Sequence, residues 1–250
     1  MTTGARATCS AAAPLIVLDI GWTIVDGATE GPADLIAHAL ELDDRQRSAL
    51  DGLLMTRSLC GPADVAALLR ADFGLTGHLV DDVATEVWTT QEDAATPLPG
   101  AAAAIADLAS HGCRFAVTSN IWQPYLTSVR KHFGGFLDQR VPASWQMFSF
   151  REGCAKPSPE LLRRTLEASA VTPGEAIVVG DSYTNDMAPA MSRGTRTIWL
   201  LHRIHQERKS LIRVLNAEVS APSLALESIA HLDWRTVSSV LASPPSAQEI

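Results

Sequence analysis

Three aspartates of this 250-residue chain are spaced so that their carboxylates could cluster and bind a metal ion. Asp19 and Asp181 each follow a short apolar run, and Asp186 comes five residues after Asp181. Carboxylates that lie close together repel one another unless a hard cation neutralises their charge. A ligand set made only of oxygen atoms suits Mg²⁺. The chemistry indicated is that of a Mg²⁺ site, provided the fold brings the three residues together.

The elements that must position these aspartates are buried parallel strands. Four short apolar runs are typical of strands covered on both faces. They alternate with segments of helical periodicity, and this alternation predicts an α/β fold with a doubly wound, mostly parallel sheet. The predicted strands are Pro14–Ile20, Arg114–Ser119, Ala176–Gly180 and Arg196–Leu201, and the predicted helices are Ala101–Ser110, Pro124–Phe133, Pro159–Ala170 and Asp186–Ser192.

Polar residues at the carboxyl ends of three predicted strands indicate where a ligand binds. These residues are Asp19, Ser119 and Asp181. In an open α/β sheet, ligands bind at the edge where the strands end. Asp19 alone could cap a turn, and Ser119 with Asn120 could begin a helix. Their joint occurrence at one edge favours a functional site.

A segment of different periodicity interrupts the pattern after the first strand. Between Gly31 and Thr96 the apolar residues recur at helical spacing, and a proline-rich stretch follows. We therefore expect a small α-helical cap at residues 27–96, inserted into a core formed by residues 14–26 and 97–242. Residues 1–13 and 243–250 are expected to be flexible termini.

Composition narrows the class of protein. Hydrophobic residues make up 46% of the chain and charged residues 19%, which excludes global disorder. No apolar run reaches the roughly 18 residues that a membrane helix needs. The four cysteines are far apart in the chain, as is typical of thiols in a reducing compartment. We expect a cytoplasmic protein that has no membrane partner.

The charge distribution disfavours a nucleic-acid partner. The net charge is −8, and the segment Asp26–Thr96 carries fourteen acidic residues and four arginines. Binding to a phosphate backbone needs a basic face instead. We interpret the one basic run, His202–Arg213, as a solvated helix or loop. The sequence leaves the oligomeric state open.

Four polar segments, taken in order, resemble the motifs of the haloacid dehalogenase (HAD) superfamily. They are Asp19–Thr23 (DIGWT), Ser119–Asn120, Gly153–Pro159 (GCAKPSP) and Gly180–Asp186 (GDSYTND). The resemblance spans about Pro14 to Leu232 and indicates the phosphatase-like branch with a helical first-type cap. It implies a Rossmann-like core and a Mg²⁺-dependent hydrolase of a small phosphorylated or phosphonylated metabolite.

The resemblance also implies a role for each site residue. Asp19 attacks the phosphoryl group and forms an aspartyl-phosphate, and Lys156 assists as a fixed cation. Asp186 either binds the metal directly or supports its ligands. The implied phosphate-binding residues are Thr23, Ser119, Asn120 and Lys156, and the implied metal ligands are Asp19, the backbone carbonyl of Gly21, Asp181 and Asp186.

Gly21 departs from the family pattern. Phosphatases of the family carry a second Asp at this position, which protonates the leaving oxygen and then activates water. Positioned acid–base assistance of this kind is worth about 10²- to 10⁴-fold in rate. The departure leaves a second interpretation open, a catalytically impaired homologue that binds a phosphoryl ligand or a partner. A metal-free dehalogenase is a third.

Substrate choice is expected to depend on the cap and on Trp22. Trp22 stands where the family commonly has glycine, and we favour packing under the cap over covering the site. The cap has no lysine, which argues against the Schiff-base chemistry of phosphonoacetaldehyde hydrolases. The cap residues that could reach a substrate are His38, His78, Arg45, Arg47, Arg57 and Arg70, although each of them taken alone is more typical of a solvated helix surface.

Overall fold

The central sheet is parallel throughout. The computed structural model describes residues 13–27 and 30–243, so the expected flexible termini fall almost wholly outside the description. The strands are β1 (Leu15–Leu18), β2 (Val25–Asp26), β3 (Thr96–Pro97), β4 (Arg114–Ser119), β5 (Gln146–Phe148), β6 (Ala176–Gly180), β7 (Arg196–Leu200) and β8 (Leu224–Leu226). Six of them form one sheet in the order β5-β4-β1-β6-β7-β8, and β2 pairs with β3 in a separate antiparallel ribbon. The α/β class is thus confirmed.

Helices connect the strands and cover both faces of the sheet. They are α1 (Pro32–Leu40), α2 (Asp44–Thr56), α3 (Pro62–Phe73), α4 (Leu79–Gln91), α5 (Ala101–Ser110), α6 (Gln123–Arg140), α7 (Ser149–Glu152), α8 (Glu160–Ser169), α9 (Ala188–Met191), α10 (Ile204–Leu215) and α11 (Trp234–Ala242). Successive residues of β1 enter different hydrophobic clusters: Ile16 and Leu18 join one, and Leu15 and Val17 join the other. This alternation is what a strand buried on both faces produces.

Several elements differ from the sequence-based prediction. The edge strands β5 and β8 have only three residues each, too few to show a periodic pattern. The helix predicted to start at Asp186 instead begins with a wide turn over Tyr183–Met187, followed by α9. The basic run His202–Arg213 lies mostly in α10.

The register of three adjacent strands aligns their carboxyl ends. Leu18 of β1 pairs with Val117 of β4 and with Val179 of β6. The amide of Asp19 donates a hydrogen bond to the carbonyl of Val179 across a distance of 3.0 Å. The chain therefore leaves β1 next to the ends of both neighbouring strands.

The inserted helices α1–α4 have a hydrophobic core of their own. Leu50, Leu54 and Leu69 are fully buried in it. Trp122, which precedes α6, joins this core and packs edge-to-face on Trp88 with the ring centroids 5.6 Å apart. Among the described helices none is long and apolar enough to cross a membrane.

Candidate active site

Asp19 is the most densely bonded carboxylate of the sheet edge. Its side chain accepts hydrogen bonds from the Thr23 hydroxyl (3.1 Å), the Ser119 hydroxyl (3.0 Å) and the Lys156 ammonium group (2.7 Å). Asp19 directly follows β1, Ser119 is the last residue of the neighbouring strand β4, and Thr23 comes from the turn after β1. Three donors from separate segments thus fix the orientation of one buried carboxylate.

Lys156 is held in place through its backbone by Asn120. The Asn120 side chain donates to the carbonyl of Lys156 (2.9 Å) and accepts from its amide (2.7 Å). Burial acts to lower the pKa of Lys156, but the charges of Asp186 and Asp19, with hydrogen bonds to both, raise this pKa above its ordinary value. The ammonium group therefore stays charged. In this structure the side-chain amide of Asn120 positions Lys156. A direct contact between Asn120 and phosphate remains a prediction.

Gly180 makes room for Asp186. A Cβ atom at position 180 would lie 2.4 Å from the Cγ of Asp186, a distance that real atoms do not tolerate. One carboxylate oxygen of Asp186 accepts from the Lys156 ammonium group (2.5 Å), and the other accepts from the amide of Ser182 (3.1 Å). The glycine before Asp181 is therefore a steric requirement of the site.

Asp19, Asp181 and Asp186 come together as the sequence predicts. All three are buried, and each offers a carboxylate oxygen within 4.8 Å of those of the other two. Burial raises the pKa of Asp181 to about 8, with the charges of Asp19 and Asp186 adding to the effect. Burial also raises the pKa of Asp186, against the opposing charge of Lys156. A buried, oxygen-only set in which Asp181 and Asp186 resist carrying negative charge fits a hard divalent cation.

We expect Mg²⁺ to stabilise the protein more strongly at high pH. The raised carboxyl pKa values mean that the metal-free folded state binds more protons than the unfolded state. Its stability therefore falls as the pH rises from about 4 to about 8, the folded-state pKa of Asp181, by up to about 1.4 kcal/mol per pH unit for this carboxyl. Mg²⁺ needs deprotonated ligands, so its stabilising effect grows over the same interval. Thermal unfolding with and without Mg²⁺ at about pH 5 and about pH 8 measures this difference.

The variant Asp181→Asn removes one carboxylate of the cluster, and Asp138→Asn removes a surface carboxylate that pairs with Arg130. At Mg²⁺ concentrations 100-fold above the dissociation constant, stabilisation of the wild type should reach about 2.7 kcal/mol. Asp181→Asn should lose most of it and Asp138→Asn none. Equal stabilisation of both variants would refute the metal site.

A cavity of about 320 Å³ opens onto the carboxylate cluster. Its lining includes residues of all four motifs, Trp22 among them, and three residues from the segment that begins α10: Arg203, Gln206 and Glu207. The Arg203 guanidinium stacks over the Trp22 ring, 4.0 Å from its centroid, and donates to Asp181 (3.1 Å). Trp22 thus lines the cavity. The basic run interpreted above as a solvated element supplies one of the cavity walls.

The cap cations lie elsewhere. Arg47 pairs with Asp34, Arg57 with Asp72 and Arg70 with Asp81, all on the cap surface. His38 lies near Glu30, and Arg45 and His78 are exposed. Across the described residues, none of these six side chains lines the cavity. The sequence contains one signal for the cavity wall that Arg203 helps to form, namely a basic run directly after a predicted strand.

Gly21 leaves open space beside Asp19. Its φ lies outside the left-handed region, and a Cβ built on it meets no heavy atom within 4 Å beyond the adjacent residues Ile20 and Trp22. Trp22, in contrast, has a φ of 57°, a value that residues with a Cβ atom adopt at a cost of about 1 kcal/mol or more. The conformational demand for glycine therefore falls on position 22 instead of position 21.

Comparison with known proteins identifies the family. The model of haloacid dehalogenase-like hydrolases matches residues 15–191, and a HAD-hydrolase-like model matches residues 153–231. The chain belongs to the haloacid dehalogenase-like hydrolases, which confirms the resemblance seen in its motifs.

The individual similar proteins match either a short part of the chain or the whole fold at low sequence identity. A glyceraldehyde 3-phosphate phosphatase of Pyrococcus furiosus is 38% identical over 61 residues, so the match spans 24% of this chain and 25% of that protein. A putative β-phosphoglucomutase from Bacteroides vulgatus shares the fold with a TM-score of 0.58 at 19% identity, over 93% of this chain and 91% of the other. A HAD family enzyme from Bacteroides thetaiotaomicron, in complex with magnesium and inorganic phosphate, has a TM-score of 0.53 at 15% identity, over 75% of this chain and 94% of the other.

Proposed function

We propose that this hydrolase is a Mg²⁺-dependent phosphatase of small phosphorylated metabolites that acts through an aspartyl-phosphate on Asp19. The observation that carries the proposal is the environment of Asp19, a buried carboxylate oriented by Lys156, Ser119 and Thr23 beside two further carboxylates. The relative from Pyrococcus furiosus, a phosphatase of a small sugar phosphate, supports the substrate class.

The reaction proceeds in two displacements at phosphorus. An oxygen of Asp19 forms a bond to phosphorus while the ester oxygen departs with the bonding electrons and takes a proton from solvent. Water then attacks phosphorus, gives up a proton to solvent, and releases inorganic phosphate with restoration of the Asp19 carboxylate. Ser119, Thr23 and Lys156 donate to the phosphoryl oxygens as charge builds on them.

The metal assigned to Asp19, the Gly21 carbonyl, Asp181 and Asp186 would, when bound, neutralise negative charge at the phosphoryl group. Lys156 contributes the fixed positive charge of the protein itself. Asn120 keeps Lys156 within reach by its two hydrogen bonds to the Lys156 backbone. Asp186 holds the same ammonium group from the other side.

The helices between residues 27 and 96 act in this proposal as a cap on the core formed by 14–26 and 97–242. The Ser58 hydroxyl donates to the carbonyl of Phe150 (3.0 Å), and the Trp122 indole donates to the Gln91 side chain (3.3 Å). These contacts dock the insert beside the carboxyl edge of the sheet. A helical insert in this place admits only small substrates to the site and excludes water from it.

A second candidate function rests on Gly21. Without a carboxylate at this position, a protein with intact metal and phosphoryl sites could serve as a binding module for a phosphorylated ligand or a partner. Turnover separates the two functions, because a binding module releases no product.

The test is release of inorganic phosphate from a panel of small phosphorylated metabolites, with Mg²⁺ or with a chelator. We expect Mg²⁺-dependent turnover of at least one member and no activity when the metal is removed. Tight binding of panel members without any phosphate release would support the binding module. Halide release from haloacids in the presence of the chelator would instead support a metal-free dehalogenase.

A further inference from the structure

Arg203 has no role in the mechanism proposed above, yet it faces the same cavity. It comes three residues after β7 and directly before α10, on the side of the cavity formed by Asp181. Its side chain is 25% exposed, so it is accessible from the cavity without projecting freely into solvent.

Two contacts hold the Arg203 guanidinium against the cavity wall. Its carbon atom lies over the Trp22 ring, 4.0 Å from the ring centroid, and Nη1 donates to Asp181 (3.1 Å). Contact with an aromatic face orders the group before a ligand arrives. Within the described part of the chain, its Nε atom is buried and has no hydrogen-bond partner.

The charges of the cavity make Arg203 distinct from Lys156. Lys156 lies between Asp19 and Asp186 and is taken up by the phosphoryl site. Arg203 is the other cation of the lining, and Glu207 is the additional acid. One oxygen of Glu207 accepts from the amide of Tyr183 (3.1 Å), which draws this carboxylate toward the backbone. The guanidinium is therefore the group that can attract a second negative charge.

A guanidinium is suited to a planar anion. It is always charged, and its five N–H donors form a rigid fork that matches a carboxylate in two parallel hydrogen bonds. One contact, to Asp181, engages Nη1. The cavity, at about 320 Å³, lies near the lower end of the roughly 300–1,000 Å³ of small-molecule sites. It suits a phosphoryl group joined to a short chain.

We propose that Arg203 is a specificity-determining residue that binds a carboxylate on the leaving part of the substrate, so that the preferred substrates are small phosphorylated carboxylic acids. This inference rests on the proposed function, since the phosphoryl group of the same molecule occupies the Asp19 site. Trp22 serves as the platform that keeps the guanidinium in position.

The test compares two substrates that differ at one group. In 3-phosphoglycerate a carboxylate stands where glycerol 3-phosphate has a hydroxymethyl group. We expect the wild type to favour 3-phosphoglycerate in kcat/KM, and Arg203→Gln to reduce this preference by about tenfold or more, as is typical of lost charge-assisted hydrogen bonds. Arg203→Lys, which keeps the charge but loses the fork, should retain part of the preference. Because the preference is a ratio measured within one preparation, the fraction of folded protein cancels.

Arg208→Gln is the matched control, because Arg208 lies exposed on α10, the helix that Arg203 precedes, and outside the cavity lining. It should keep the wild-type preference. A wild type that hydrolyses both substrates equally, or a preference unchanged in Arg203→Gln, would overturn the inference while leaving the phosphatase proposal intact.

Calorimetric binding of both compounds to Asp19→Asn separates the inference from the proposed function. If no variant releases phosphate, but Asp19→Asn binds 3-phosphoglycerate more tightly than glycerol 3-phosphate and the additional Arg203→Gln change removes the difference, the carboxylate site stands without the phosphatase. If binding shows no difference between the two compounds, the carboxylate site is refuted.

Discussion

Wild-type protein treated with radiolabelled acetyl phosphate and Mg²⁺ should carry a hydroxylamine-labile label on Asp19. The leaving group of an acyl phosphate has a low pKa and departs without a proton donor, so the first displacement needs nothing from position 21. The second displacement lacks a base there, and the intermediate therefore accumulates. Peptide mapping after rapid quenching locates the label.

The variant Asp19→Asn should take up no label and should lose at least about 10⁴-fold in turnover, as is usual when a nucleophile is removed. Its amide is no nucleophile, although Lys156 and Ser119 still stand beside it. Asp72→Asn, which removes an exposed carboxylate of the cap, serves as the control and should label normally. A wild type that binds Mg²⁺ but acquires no label would contradict the proposed intermediate.

Gly21→Asp should raise hydrolysis of a simple aryl or sugar phosphate by up to about 10²- to 10⁴-fold. The substitution supplies a carboxylate that can protonate the leaving oxygen and then accept a proton from the attacking water. The backbone at position 21 accepts a side chain without strain, and a Cβ there meets no heavy atom within 4 Å beyond the adjacent Ile20 and Trp22. Rates of phosphate release at saturating Mg²⁺ measure the gain.

Gly21→Asn is the matched control, because it has the same size as Asp but cannot transfer a proton. It should show no gain. An enzyme adapted to a different leaving group should lose its native reaction as Gly21→Asp gains the new one, whereas a degenerate phosphatase should only gain. If a folded, Mg²⁺-binding Gly21→Asp variant matches Gly21→Asn, the site differs from that of a phosphatase by more than this residue.

The sequence predicted the site because its residues follow strands with strong local patterns. Apolar runs ending in Asp19, Ser119 and Asp181 indicate strand ends, and parallel strands place their carboxyl ends at one edge. The convergence of Asp186 on the same cluster was foreseen from its motif. The reason for Gly180, a Cβ that would collide with Asp186, needed atomic positions.

The sequence did not predict that the segment at the start of α10 lines the cavity, because charge patterns do not reveal which face of a helix is covered. Arg203 belongs to a basic run that resembles many exposed helices, and only the fold places it against Trp22 and Asp181. Charge alone makes the cap arginines candidates for substrate binding, yet Arg47, Arg57 and Arg70 pair with aspartates on adjacent helices. Pairings of this kind depend on helix packing, which the periodicity of one segment does not specify.

The long sequence separations between Asp19 and its partners favour a late assembly of this site. Its hydrogen-bond donors Ser119 and Lys156 lie 100 and 137 positions away along the chain, and Asp186 is farther still. Contacts that close long loops form later than local ones. The helices α1–α4 pack on one another within residues 32–91, so a growing chain can complete them early. Any ligand of the Asp19 cluster must wait until residue 186 has been synthesised and β6 has joined the sheet.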